Sequence, residues 1–342
     1  MTKFGKTSDG KEAALYTLEN SNGVIATVTD YGATLVQIIV PDKNGATKDV
    51  VLGYDNVSGY EKGGCFFGAT VGRSANRIAG ASFRLNNSVY KLADNDNGNN
   101  LHSGMNFYSK RFWNVENVGD TTITFTLLSE DMDQGYPGKA NISVIYELLN
   151  DNELKITYIA VSDKDTIFNM TNHSYFNLDG HSSTTLMNQN IYIDADAFTP
   201  TNESLIPTGE IKPVEGTPMD FRSTKAVGLD IDKDFEALKL GGGYDHNYCL
   251  NGSGYRKVAS LNSESTGINM DVYTDLPGMQ LYTGNFIMNE VGKDNTHYCR
   301  RQALCFETQF YPNAINEENF HSPIFTKDEE YKTVTGYKFK VN

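Results

Sequence analysis

Asn141-Ile142-Ser143-Val144-Ile145-Tyr146-Glu147-Leu148 is followed, across Leu149-Asn150-Asp151-Asn152-Glu153, by Leu154-Lys155-Ile156-Thr157-Tyr158-Ile159-Ala160. In the first run Ile142, Val144, Tyr146 and Leu148 alternate with Asn141, Ser143, Ile145 and Glu147. In the second, Leu154, Ile156, Tyr158 and Ala160 occupy every other position. A period of two sends successive side chains to opposite faces of an extended strand, so each run has one apolar face. Asn150-Asp151-Asn152 supplies turn chemistry between them, and the stretch predicts a β-hairpin.

The same reading extends outward. Further strands are expected over 121–128, 189–194, 269–274 and 336–341, and one short helix over 234–240, with Asp234 as its cap and Gly241 as its stop. The 342 residues include 20 Tyr, 18 Phe and 31 Gly, a composition that suits half-buried pleated surfaces joined by turns. Many short strands with turns between them point to a sandwich or barrel rather than βαβ units. No internal repeat and no Pro- or Ser-rich linker divides the chain. The expectation is an all-β protein in which residues 1–342 form a single large domain.

Charge and cysteine usage narrow the function. A net charge of −14 would repel a phosphate backbone, which argues against nucleic acid and anionic membranes as partners. No stretch reaches the 18 or so apolar residues of a membrane-spanning helix, and the first ten residues lack a signal-peptide core. The four cysteines form no Cys-x-x-Cys pair. These features fit a reduced, cytoplasmic protein.

A few residues could carry chemistry. His102 lies in the polar stretch Asn100-Leu101-His102-Ser103-Gly104, and His173 in Thr171-Asn172-His173-Ser174-Tyr175-Phe176. On a strand, Thr171, His173 and Tyr175 would share one face. His246 follows Gly241-Gly242-Gly243-Tyr244-Asp245, where glycines would let the backbone approach a ligand. Glu307 stands within Leu304-Cys305-Phe306-Glu307-Thr308-Gln309-Phe310, a carboxylate in an apolar strand. Such a group is a candidate for a raised pKa and proton transfer, or else a charge guarding an edge strand. Metal ligation is the competing use of His and Glu, although no His-Glu-x-x-His or close His-x-His pair is present. A serine hydrolase would need a Gly-x-Ser-x-Gly elbow, and none occurs.

Taken in order, the motifs resemble those of the aldose 1-epimerase, or galactose mutarotase, family. They are Asp30-Tyr31-Gly32-Ala33-Thr34-Leu35, Gly72-Arg73-Ser74-Ala75-Asn76-Arg77-Ile78-Ala79, Asn100-Leu101-His102-Ser103-Gly104 and Gln134-Gly135-Tyr136-Pro137-Gly138. Thr171-Asn172-His173-Ser174-Tyr175-Phe176-Asn177-Leu178, Gly243-Tyr244-Asp245-His246-Asn247-Tyr248, Pro277-Gly278-Met279-Gln280-Leu281-Tyr282-Thr283-Gly284-Asn285 and Glu307-Thr308-Gln309 follow. Eight pieces in the same order make the resemblance specific.

The resemblance implies a large antiparallel β-sandwich with an open sugar-binding cleft and a reaction without cofactor or metal. It implies Glu307 as general base and His173 as general acid, on opposite sides of the sugar. Asn76, Arg77, His102, Asp245 and Gln280 would hold sugar hydroxyls, and Tyr175 or Phe286 would cover C–H faces. The implied partner is a free aldose such as galactose or glucose, met by a monomer or homodimer. Three alternatives stay open at this point. One is an epimerase of a hexose 6-phosphate, which should show extra Arg or Lys around the cleft. The others are a sugar-binding protein without turnover, and a glycoside hydrolase pairing Glu307 with Asp245.

Overall fold

The computed structural model describes residues 1–341. The predicted hairpin forms as Ala140–Leu148 and Glu153–Ser162, with Val144 opposite Tyr158, Tyr146 opposite Ile156 and Leu148 opposite Leu154. All six of these side chains are buried, as the alternation requires. The turn closes through Leu149 N–H to Glu153 C=O, with Asn152 in the left-handed region at φ 65°.

This hairpin lies within a nine-stranded antiparallel sheet. In spatial order its strands are Asn114–Glu116, Thr122–Ser129, Ala140–Leu148, Glu153–Ser162, Glu330–Val341, Ile268–Thr274, Arg256–Asn262, Asn190–Ile193 and Lys225–Ala226. Glu330–Val341 runs between strands from both halves of the sequence, and so ties them together. An N-terminal meander, Thr2–Lys6 to Thr47–Asp49, makes a five-stranded sheet. A second five-stranded sheet has the order Lys212–Pro213, Ala195–Thr199, Asp245–Leu250, Gly278–Tyr282, Cys305–Gln309. All three sheets send residues into one apolar cluster, for example Val28, Leu35, Val144, Ile156, Leu281 and Phe306.

The expected strands are present with ends moved by a few residues, the last being longer and starting at Glu330. The expected helix forms over Glu236–Gly241. Its N-cap is Phe235 without a capping side chain, and it ends at Gly242, whose φ of 65° no larger residue adopts easily. Asp234 pairs with Lys239 instead of capping. A second helix, Val57–Lys62, has no counterpart in the periodicity reading. Asn56 caps it by accepting from the N–H groups of Ser58 and Gly59.

The sheet that ends in Cys305–Gln309 is two-faced, and that property positions the site. Tyr248, Met279, Leu281 and Phe306 point into the core. The intervening residues form cross-strand rows on the other face, Asp245–Tyr282–Cys305 and Asn247–Gln280–Glu307. Phe306→Ala should therefore cost about 3–5 kcal/mol of stability, because it empties a fully buried site behind Glu307. Urea unfolding would check this, and a loss below about 1 kcal/mol would show that the strand is not anchored through its back face.

Candidate active site

His173 ends the short strand Thr171–His173, which pairs with Ala69–Val71. Two backbone hydrogen bonds, Phe176 N–H to Leu304 C=O at 2.7 Å and Leu304 N–H to Phe176 C=O at 3.0 Å, tie this segment to the strand carrying Glu307. That tie brings together two residues far apart in sequence. Gly68 holds the neighbouring layer: its N–H donates to His173 C=O and its own carbonyl accepts from Leu35 N–H. A Cβ on Gly68 would lie 1.8 Å from Leu35 O, so only glycine permits this approach.

Asn76 and Arg77 enter from a second small ladder, in which Leu101 pairs with Arg77 and Asn100 with Ile78. His102 follows directly, with Asn76 and His102 both at positive φ, 58° and 52°. Non-glycine residues in this region carry conformational strain that their surroundings must hold. Reciprocal bonds do so here, His102 N–H to Asn76 C=O at 2.9 Å and Asn76 N–H to His102 Nδ1 at 3.1 Å.

The seven residues to which the resemblance gives acid, base or hydroxyl-binding roles all line one cavity of about 210 Å³, together with Cys65, Phe66, Tyr175, Tyr282, Phe286 and others, whereas His246 does not. That is below the roughly 300–1,000 Å³ of pockets for drug-sized ligands and suits a single small ring. At its floor Glu307 and His173 are 2% and 5% exposed, with Glu307 Oε1 3.6 Å from His173 Nε2. The two are thus neighbours, not placed on opposite sides of a sugar as expected. The edge-strand reading of Glu307 fails as well. Its strand is the sheet's edge, yet the carboxyl points into the protein.

Burial sets the electrostatics. It pushes the Glu307 carboxyl well above the usual carboxylate range, with the Asp245 carboxylate adding to the effect and Arg77 opposing it. Burial likewise holds His173 down at about 4. Glu307 Oε2 is a buried oxygen with no protein partner, an arrangement that costs free energy until a donor meets it.

The remaining residues present donors and acceptors. Asp96 takes Arg77 Nε at 2.7 Å, fixing the guanidinium beside the cleft. Asn76 Oδ1 accepts from the Arg77 N–H. Gln280 Nε2 donates to Asp245 Oδ1 at 2.7 Å, so Gln280 orients Asp245 as well as lining the cleft. Burial, followed by Arg77 and Gln280 pulling the other way, leaves Asp245 raised from its ordinary value.

Three expectations need correction or sharpening. His246 faces away from the cleft, fully buried against Phe198 with its ring edge-on. The glycine run serves the fold: Gly243, at φ 144°, makes room for Asn285, whose Oδ1 would lie 2.4 Å from a Cβ there. Tyr175 packs flat on the His173 ring, whereas Phe286 is 57% exposed at the cleft mouth. Sequence reasoning passed over Cys305, Phe66 and Tyr282. Cys305 and Tyr282 follow from the period-two rows once Glu307 and Gln280 are known. Phe66 sits in no alternating run, and only the folded chain brings its ring beside His102 and His173.

His102, His173 and Glu307 also bring ligand atoms within 4.8 Å of one another, and two histidines with a glutamate can bind zinc. The hydrogen bonding at His102 opposes that use. Its Nδ1 accepts from a backbone N–H, so the neutral ring carries its hydrogen on Nε2 and has no free lone pair for a metal. Ligating histidines have the reverse arrangement, donating their other N–H to an acceptor. The same tautomer makes His102 a hydrogen-bond donor to an oxygen in the cleft. Burial, then the neighbouring His173 and Arg77, keep it neutral.

A β-sandwich whose cleft joins a buried carboxyl–imidazole pair to a ring of amide, guanidinium and carboxylate groups has side chains of the kind that proton transfer on a polyhydroxylated ligand requires. Comparison with known proteins agrees. The sequence pattern of a family described as aldose 1-epimerase matches residues 14–338. The chain is 39% identical to galactose mutarotase of Bos taurus over 316 residues, covering 92% of this chain and 90% of that protein. It is 36% identical to aldose 1-epimerase of Escherichia coli (strain K12) over 335 residues, 97% and 96% of the two chains. Among solved structures, galactose 1-epimerase from Lactobacillus acidophilus superposes with a TM-score of 0.87 at 30% identity, covering 100% of this chain and 98% of that one. An aldose epimerase homologue from C. elegans gives 0.90 at 31%, over 96% and 99%. The chain belongs to the aldose 1-epimerase family and is a carbohydrate isomerase.

Proposed function

We infer that this chain interconverts the α and β anomers of a free aldohexose such as galactose or glucose, with Glu307 as base and His173 as acid. The Glu307 carboxylate removes the proton from the C1 hydroxyl as the C1–ring-oxygen bond breaks. The bond electrons go to the ring oxygen, which takes a proton from His173 Nε2. The aldehyde rotates about C1–C2 and recloses on its other face, the ring oxygen returning its proton to His173 and O1 taking one from Glu307.

The observation that carries this reading is the 3.6 Å separation of Glu307 Oε1 and His173 Nε2. Both reacting oxygens are bonded to the same carbon, so an adjacent base and acid can serve both of them. The proton count also fits. A neutral carboxyl beside a neutral imidazole holds one proton between them, as does a carboxylate beside an imidazolium. The pair can therefore reach its reactive form by internal transfer, helped by sugar hydroxyls that stabilise the carboxylate. His102, Asn76, Arg77, Asp245 and Gln280 would bind the ring and its hydroxyls. We take residues 1–342 to act as one unit, since the cleft draws on residues 64–307.

Arg77 is the one Arg or Lys lining the cleft among the described residues. Arg73 is fully buried, its Nη atoms donating to Pro137 O, Gly138 O and Ser129 Oγ. That leaves little to bind a phosphate dianion and favours unphosphorylated sugars. The glycoside hydrolase alternative fares no better, because the group facing Glu307 Oε1 at 3.6 Å is an imidazole, not a second carboxylate. No helix among the described residues is long and apolar enough to cross a membrane. In anomerisation assays kcat/KM should be higher for galactose or glucose than for glucose 6-phosphate, and exhaustive EDTA treatment should leave the rate unchanged. Preference for the phosphate ester, or loss of activity restored by added metal, would overturn the reading.

A further inference from the structure

His102 and His173 are both buried imidazoles in one cleft, yet their Nδ1 atoms meet different kinds of partner. At His102 the partner is a backbone N–H, which can only donate, and the ring is locked in one neutral form. At His173 the partner is Cys305 Sγ, 3.4 Å from Nδ1. A thiol carries one hydrogen and free lone pairs, so it can donate weakly to a bare nitrogen or accept weakly from an N–H.

The strand geometry makes this contact part of the site. Cys305 and Glu307 are two residues apart on one strand and share a face, so the strand addresses both ring nitrogens of His173. The ring plane is set separately. Tyr175 stacks on it at 5.0 Å between centroids and Phe66 at 5.9 Å, each inclined by 22°. Burial, followed by the Glu307 and Asp245 charges, keeps the Cys305 thiol protonated. It is thus neither nucleophile nor thiolate base.

We propose that Cys305 is the positioning residue for His173, its sulfur accepting from Nδ1–H in both the neutral ring and the imidazolium, so that Nε2 is the bare nitrogen of the neutral ring. His173 can then take up and release the proton on Nε2 without turning its ring. The inference rests on the mutarotase reading and extends it, explaining why His173 rather than His102 cycles a proton. The other polar groups around His173 are Glu307, His102, Tyr175 and Tyr282, with Asp245 and Arg77 further along the cleft. In the same strand contacts it is Cys305 that meets Nδ1, while Glu307 faces Nε2.

The test compares wild type, C305A and C305S by kcat, KM and pH–rate profile on galactose, together with ¹⁵N NMR of His173. C305A should lose about 10–100-fold in kcat, the usual range when a histidine's orienting partner is removed. KM should stay within about twofold, because no group that binds substrate has changed. The acidic limb of C305A should move to lower pH, since an imidazolium N–H facing a methyl group is harder to form. C305S should recover most of the loss, a hydroxyl also being both donor and acceptor. In wild type the NMR should show Nδ1 protonated at neutral pH, with Nε2 the nitrogen that gains a proton as the acidic limb is crossed. Wild-type kcat in C305A, a C305S no better than C305A, or an unprotonated Nδ1 at neutral pH would each overturn the proposal. Failure of the mutarotase reading would look different, as wild-type enzyme inactive on every aldose with the NMR signature of the contact intact.

Discussion

Glu307→Gln is expected to lower kcat by about 10²–10⁴-fold or more, the range associated with losing one positioned proton transfer. Glutamine keeps the shape and the buried packing but cannot take the proton from the C1 hydroxyl. KM should change little, since Asn76, Arg77, His102 and the Asp245–Gln280 pair are untouched. The variant should also fold well. In the native state the carboxyl has a raised pKa, so the folded protein binds more protons than the unfolded chain above the ordinary value of 4.5. Stability from this group is therefore full at low pH and lost as pH rises towards and through the folded pKa. Glutamine has no such charge to bury, so the stability of Glu307→Gln should fall less with rising pH than that of wild type. Urea unfolding at several pH values reads this directly. Wild-type turnover in the variant would remove Glu307 from the base role.

His173→Asn should be comparably severe in kcat, again with folding preserved, because the acid that protonates the ring oxygen is gone. Its pH signature is opposite in sign. Burial holds His173 at about 4, below the ordinary 6.5, so between those values the unfolded chain binds more protons than the folded one. Wild type loses stability as pH falls through this window. His173→Asn should lose less, while His102 and the equally buried His246, also lowered, still contribute. In the wild-type pH–rate profile, the acidic fall should mark a second proton entering the Glu307–His173 pair. The alkaline fall should mark loss of the one proton that the pair needs. A His173→Asn enzyme with wild-type kcat would exclude His173 as the acid.

The hairpin at 140–162 was legible because its apolar residues keep period two on both sides of a short turn. Glu307 was legible for the opposite reason, as a carboxyl that breaks an apolar strand. What the alternation could also have revealed is that Cys305-x-Glu307 and Gln280-x-Tyr282 share one face, because the Phe306 and Leu281 between them belong to the core. The local pattern of residues misled at His246. Adjacent to Asp245 in sequence, it points to the other side of the sheet, and the glycines before it accommodate Asn285 rather than a ligand. The short helix over Val57–Lys62 was missed because it buries only Val57 and Tyr60, too few positions for a helical period to show. The close approach of Glu307 and His173 was beyond periodicity altogether. It depends on the Phe176–Leu304 hydrogen bonds between segments that are not adjacent in sequence.

The central claim is that the buried pair opens and recloses a free sugar ring. The most direct measurement follows the optical rotation of freshly dissolved α-D-galactose and α-D-glucose with wild-type enzyme, with Glu307→Gln and with buffer alone. The account predicts a faster approach to the same final rotation with wild type, and a rate close to buffer with the variant. Equal rates for wild type and buffer on both sugars, or undiminished acceleration by Glu307→Gln, would contradict it.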